Sequence, residues 1–197
     1  MAVLIEAISV VVRSDRLVGE FPGGWAAFKS HVPNSTLCAD EELVRVGFMH
    51  PGDAEAYVAF LKSAGLRYLL NYQATDLVVV DQMRGFMAPC DWACFGHVHL
   101  NGDPAKRVSA CMLKGSSQKR IIMPEGWIYE QSLSASYGFV ADGAEDTMEI
   151  VADDDGLQTL LSPLSEQPLY TARTPKSGEK LRGRNLWRLL AKKIGNS

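Results

Sequence analysis

Two β-branched runs, Ile8-Ser9-Val10-Val11-Val12 and Leu77-Val78-Val79-Val80, constrain the fold of this chain more than any other feature. Branching at Cβ stiffens χ1 and favours extended backbone, and each run is only a strand's length long. Neither approaches the roughly 20 residues that a bilayer-spanning helix needs. The first lies in a longer apolar stretch, Val3 to Val12, which reads as one buried strand, and the second reads as a strand over Asp76 to Asp81.

Between these runs the period changes. Ser14 or Asp15 can cap a helix that Pro22-Gly23-Gly24 breaks and Trp25 to His31 resumes. Val32 to Thr36 reads as a loop, and Glu42 to Met49 alternates like a half-buried strand. His50-Pro51-Gly52-Asp53 opens the clearest helix, with Ala54, Tyr57, Val58, Phe60, Leu61 and Leu66 near the helical period and Gly65 as its C-cap. A strand over Arg67 to Tyr72 and a turn at Gln73-Ala74-Thr75 complete a β-α-β-α-β-β order. That order predicts an α+β, sandwich-like half with helices over one face of a sheet.

Beyond Pro89 the elements shorten, and strands are predicted at Trp92 to Leu100, Arg107 to Leu113, Gly126 to Tyr129, Leu133 to Val140, Thr147 to Ala152, Leu157 to Leu161 and Pro168 to Ala172. Turn chemistry at Asn101-Gly102-Asp103 and Asp154-Asp155-Gly156 makes this half predominantly antiparallel β. Residues 1–172 read as a single α+β domain, with 86–90 as the alternative boundary. A basic linker follows at 173–183, then a basic amphipathic helix over 184–195. Leu186, Trp187, Leu190 and Ile194 share one side of that helix, with Leu189 adjoining, and Arg184, Arg188, Lys192 and Lys193 form its polar surface. Its stripe packs on the chain's own body or joins two copies into a homo-oligomer, and a membrane surface or a nucleic acid is the alternative contact.

Charge is where the sequence departs from the ordinary. The 197 residues carry a formal net charge of −3, but residues 1–120 hold 12 cations and 12 acids, residues 121–172 hold ten acids and no Lys or Arg, and the last 25 residues carry +7. Seven of those ten acids, Asp142, Glu145, Asp146, Glu149, Asp153, Asp154 and Asp155, fall within 14 residues. Their spacing does not match a calcium loop, and nucleic-acid phosphates would be repelled. Charges at the ends of a hairpin keep a sheet edge soluble, while a concentrated negative surface steers and captures a basic partner. The second use predicts a non-enzymatic binding protein that masks a basic toxin or nuclease, as an inhibitor or immunity protein does.

The competing reading is a small metal-dependent enzyme, such as a hydrolase. On a strand, His97 and His99 project to one face, where two imidazoles could hold a divalent transition metal such as Zn. His50, Asp81 and Asp91 are candidate further donors, and Cys94, on the opposite face, reads as core. Cys90, beside Asp91 and a few residues before the two histidines, suggests a thiolate activated by imidazole, and Asp81 ends a strand where α/β enzymes place functional groups. No glycine pattern resembles a phosphate-binding loop. With 47% apolar and 22% charged residues and only four cysteines, the chain is neither disordered nor disulfide-stapled. No signal segment is recognisable at its start, and a reducing cytoplasm is the expected compartment.

Overall fold

A computed structural model of the chain describes residues 1–117 and 120–136, together with the strand backbones 149–154, 157–161 and 168–172. In it the first apolar stretch is two strands rather than one. β1 (Ala2–Ile5) and β2 (Ile8–Arg13) belong to different sheets. Ala7 between them has φ +46°, a left-handed conformation that costs a residue with a Cβ about 1 kcal/mol. Gln82 secures this corner: its Oε1 accepts from the Ala7 N–H at 2.7 Å, and its own N–H donates to the Ala7 carbonyl at 2.8 Å.

The next elements are the helices α1 (Ser14–Glu20) and α2 (Gly24–Ser30), the strands β3 (Cys38–Ala39) and β4 (Leu43–Phe48), and the helix α3 (Pro51–Ser63). A small hairpin of β5 (Leu69–Leu70) and β6 (Gln73–Ala74) follows, then β7 (Leu77–Asp81) and β8 (Gly85–Phe86). The predicted turn at Gln73-Ala74-Thr75 is thus displaced. The bend falls on Asn71 and Tyr72, whose φ angles of +50° and +66° suit a tight hairpin. Ser14 caps no helix either, because its Oγ donates to the Asp40 carbonyl at 3.0 Å.

Strands β3, β4, β2, β7 and β8 lie side by side in that order as an antiparallel sheet. Period-two alternation divides its side chains. Val10, Val12, Val44, Val46, Leu77 and Val79 pack under the helices against Leu17, Phe28, Tyr57, Val58 and Leu61. Val11, Leu43, Val78 and Val80 point the other way, into a second core. The sheet is therefore buried on both faces, and β4 is buried along its whole length rather than half-buried as its alternation predicts.

A second sheet closes that other core. It runs β11 (Ile121–Ile122), β1, β10 (Arg107–Leu113), β9 (Ala93–His99), with β1 antiparallel to β10 and parallel to β11. Val3, Ile5, Ala93 and Cys111 from its inner face meet Val11, Leu43, Val78 and Val80. The result is three layers, helices on sheet on sheet, an α+β architecture. Each fully buried Val, Leu or Ile contributes about 1.5–3 kcal/mol.

Further along, two predicted strands are corrected. Gly126 sits in a turn at φ +74° that leads to a 3-10 turn over Tyr129–Gln131, and Leu133–Ser136 is a helical turn, α4. The strands β12 (Glu149–Asp154), β13 (Leu157–Leu161) and β14 (Pro168–Ala172) form an antiparallel three-stranded sheet; β13 and β14 have their predicted bounds, and β12 runs two residues past its predicted end at Ala152. The linker 173–183 and the helix 184–195 lie outside the described residues. Among the described residues no helix is long and apolar enough to cross a membrane.

Candidate functional site

The corner between β1 and β2 organises a polar seam between the two sheets. Arg45, on the inner face of β4, is 2% exposed. Its Nε donates to Ser9 Oγ at 2.8 Å, Nη1 to the Thr36 carbonyl at 3.1 Å and Nη2 to the Glu6 carbonyl at 3.0 Å. Burial lowers its pKa, yet the guanidinium keeps its proton because its ordinary value lies so far above neutrality. The Glu6 carboxylate, also buried, receives Ser134 N–H at 2.9 Å, Ser134 Oγ at 2.8 Å and Trp127 Nε1 at 3.1 Å. These contacts fasten residues 127–134 to the sandwich. The Arg45 and Glu6 side chains are thus both used in holding segments together.

His97 and His99 both stand on β9, two positions apart. His97 lies beside Phe95, ring centroids 5.3 Å apart, and its Nδ1 is hydrogen-bonded to Ser109 Oγ at 2.9 Å. Ser109 in turn donates to the Gln82 carbonyl at 2.7 Å. Burial and the Arg107 charge lower the His97 pKa, both disfavouring the imidazolium. His99 is exposed at the strand end, and among the described residues no three His, Cys, Asp or Glu side chains are placed to share a metal ion. Asp81 Oδ1 accepts from the Met83 and Arg84 N–H groups at 2.9 and 2.8 Å, the role of a turn-forming acid. His50 precedes α3 and Asp91 is exposed, so the candidate donors do not converge with the pair.

The cysteines sort by burial, and one reverses its expected place. Cys94 is exposed rather than core, because the face of β9 opposite His97 is the outer face of the sandwich. It borders a groove of about 830 Å³ with Val98, Met112, Ile121, Met123 and Arg120. Burial pushes the Cys38 thiol up to about 11 and raises Cys111 and Cys90 as well, the opposite of what an activated nucleophile needs. All four thiols are free. Ellman's reagent at pH 8 is therefore expected to titrate Cys94 rapidly in the native protein, Cys90 more slowly, and Cys38 and Cys111 only in denaturant. Equal rates for Cys111 and Cys94 would show that the inter-sheet core opens.

Of the acidic stretch, Glu149, Asp153 and Asp154 stand on β12, the edge strand of its sheet, with Asp153 opposite Gln158 and Asp154 opposite Leu157 at the turn end. Asp142, Glu145, Asp146 and Asp155 lie outside the described residues. A second acidic feature was not anticipated. Asp15, Asp40, Glu41 and Glu42 line a groove of about 810 Å³ whose apolar wall includes Leu17, Val18, Trp25 and Val44. Asp40, Glu41 and Glu42 are consecutive in the sequence, and the fold brings the distant Asp15 to the same groove.

No family model matches the chain, and neither the curated proteins nor the solved structures contain a match to it.

Proposed function

We propose that this is a non-enzymatic binding protein that presents an acidic surface to a basic protein partner, as an inhibitor or immunity protein would to a toxin or nuclease. The observation that carries the reading is residues 121–172, with ten acids and no Lys or Arg. Such a surface accelerates encounter with a cationic partner and rejects acidic ones. The position of Asp153 and Asp154 at the turn end of an edge hairpin supports it, since hairpin turns are reached by partners more readily than sheet interiors. The engagement of His97 by Ser109 and the raised thiols favour binding over catalysis at those residues. Free cysteines suit a reducing cytoplasm.

The test is affinity for the captured basic partner as a function of salt. Replacing Asp153, Asp154 and Asp155 together with Asn is expected to weaken binding about tenfold, since exposed ion pairs contribute about 0.2–1 kcal/mol each. Raising the salt should weaken the unsubstituted complex in the same direction. Affinity that neither salt nor the triple substitution alters would overturn the assignment.

A further inference from the structure

The groove beside α1 and α2 joins two properties seldom found together on one surface. Val18 is 62% exposed and Trp25 39% exposed, large apolar side chains left facing water at its edge. Around them stand the carboxylates of Asp15, Glu41 and Glu42, with that of Asp40 buried beneath, and the Met1 amine is the cation among the lining residues. Asp15 is paired with Arg13 at 2.8 Å, and Asp40 and Glu42 with the Met1 amine at 2.8 and 2.6 Å, while Glu41 stands exposed on the rim.

We infer that the occupant of this groove is the basic amphipathic segment 184–195 of the same chain. The segment offers the complementary pair of properties: Leu186, Trp187, Leu190 and Ile194 at helical spacing, and Arg184, Arg188, Lys192 and Lys193 around them. The acidic stretch 142–155 competes for the same cations, and magnitudes decide between the two. An exposed ion pair contributes about 0–1 kcal/mol, whereas burying a large apolar side chain contributes about 1.5–3 kcal/mol. A surface with an apolar wall beside its acids therefore holds an amphipathic segment more strongly than ion pairing by itself would. Docking within one chain also gains from a high effective concentration, because the linker 173–183 spans at most about 40 Å. With the tail held in the groove, the carboxylates of 142–155 stay open for the basic partner, and the two readings fail separately because they use different acids.

Carbodiimide coupling of the full-length protein at low micromolar concentration, followed by peptide mapping of the monomer band, tests this. Links from Lys192 or Lys193 to Asp15, Glu41 or Glu42 are expected. Their yield should fall at least tenfold in Trp187→Ser and in Val18→Ser, which remove one apolar contact each, add no charge and leave every coupled group in place. Val18 is exposed, so its substitution leaves the fold intact and keeps the test open should the tail variant misbehave. Links found only in covalent dimers would make a second copy the occupant. Links confined to the acids of 142–155, or yields unchanged in both variants, would equally overturn the inference.

Discussion

Arg45→Ala is expected to lose about 4 kcal/mol of stability, a large share of what a domain this size possesses. Removal leaves the Thr36 carbonyl without its donor, takes one donor each from Ser9 Oγ and from the Glu6 carbonyl, which keeps only the Ser9 hydroxyl at 3.1 Å, and opens a cavity where the guanidinium lay. Arg45→Met should lose less, about 2 kcal/mol, since it refills the volume and relieves the cost of a buried charge. Gly47 supplies the control. A Cβ at Gly47 would stand 2.4 Å from Arg45 Nη2, so Gly47→Ala is costly while the arginine is present. In the Arg45→Ala background the three atoms nearest that Cβ are gone, and the same substitution should cost far less. A double-mutant cycle by urea denaturation reads this directly: a coupling energy of about 2 kcal/mol is expected, and additivity would show that the arginine does not lie over the glycine.

The second large effect concerns Glu6. Glu6→Ala should cost about 2–4 kcal/mol, since its carboxylate is the shared acceptor for Ser134 N–H, Ser134 Oγ and Trp127 Nε1. The loss should be local in form. Hydrogen exchange is expected to rise first at 127–135, while amides of β2, β4 and β7 keep their protection until global unfolding. Trp127 fluorescence should shift to the red as its ring meets water. Glu6→Gln keeps an acceptor at one oxygen only and should fall between the two. Uniform loss of protection across both sheets would show instead that residues 127–135 are integral to the sandwich.

What the sequence made legible follows from where period and punctuation agree. α3 begins at Pro51 and ends beside Gly65 because a fixed φ at the start and a positive φ after the end are written in those residue types. β10 and β13 match their predicted bounds for the same reason. The division of Val3 to Val12 was hidden because its cause lies elsewhere: Ala7 has no propensity for a left-handed turn, and its corner is held by Gln82, 75 residues away. Glu6 and Arg45 did carry a signal, a lone charge inside an otherwise apolar run, with Gly47 two positions after the arginine marking where its side chain must lie. The acid-rimmed groove had none, since Asp15 and Glu41 meet only through the packing of α1 beside β3 and β4.

The corner at Ala7 also sets an order of assembly. All strands of the helix-covered sheet come from residues 8–86, whereas the other sheet needs the four residues that precede the corner together with strands reaching Ile122. A growing chain can complete the first sheet while Ala2–Ile5 still lacks its neighbours, since Val3 pairs with Cys111 and Ile122. Until β9 and β10 emerge, Val11, Leu43, Val78 and Val80 lack the cover of Ala93 and Cys111 and of the β1 that pairs with β10, so the interval between the two closures is when a nascent chain is most exposed to aggregation.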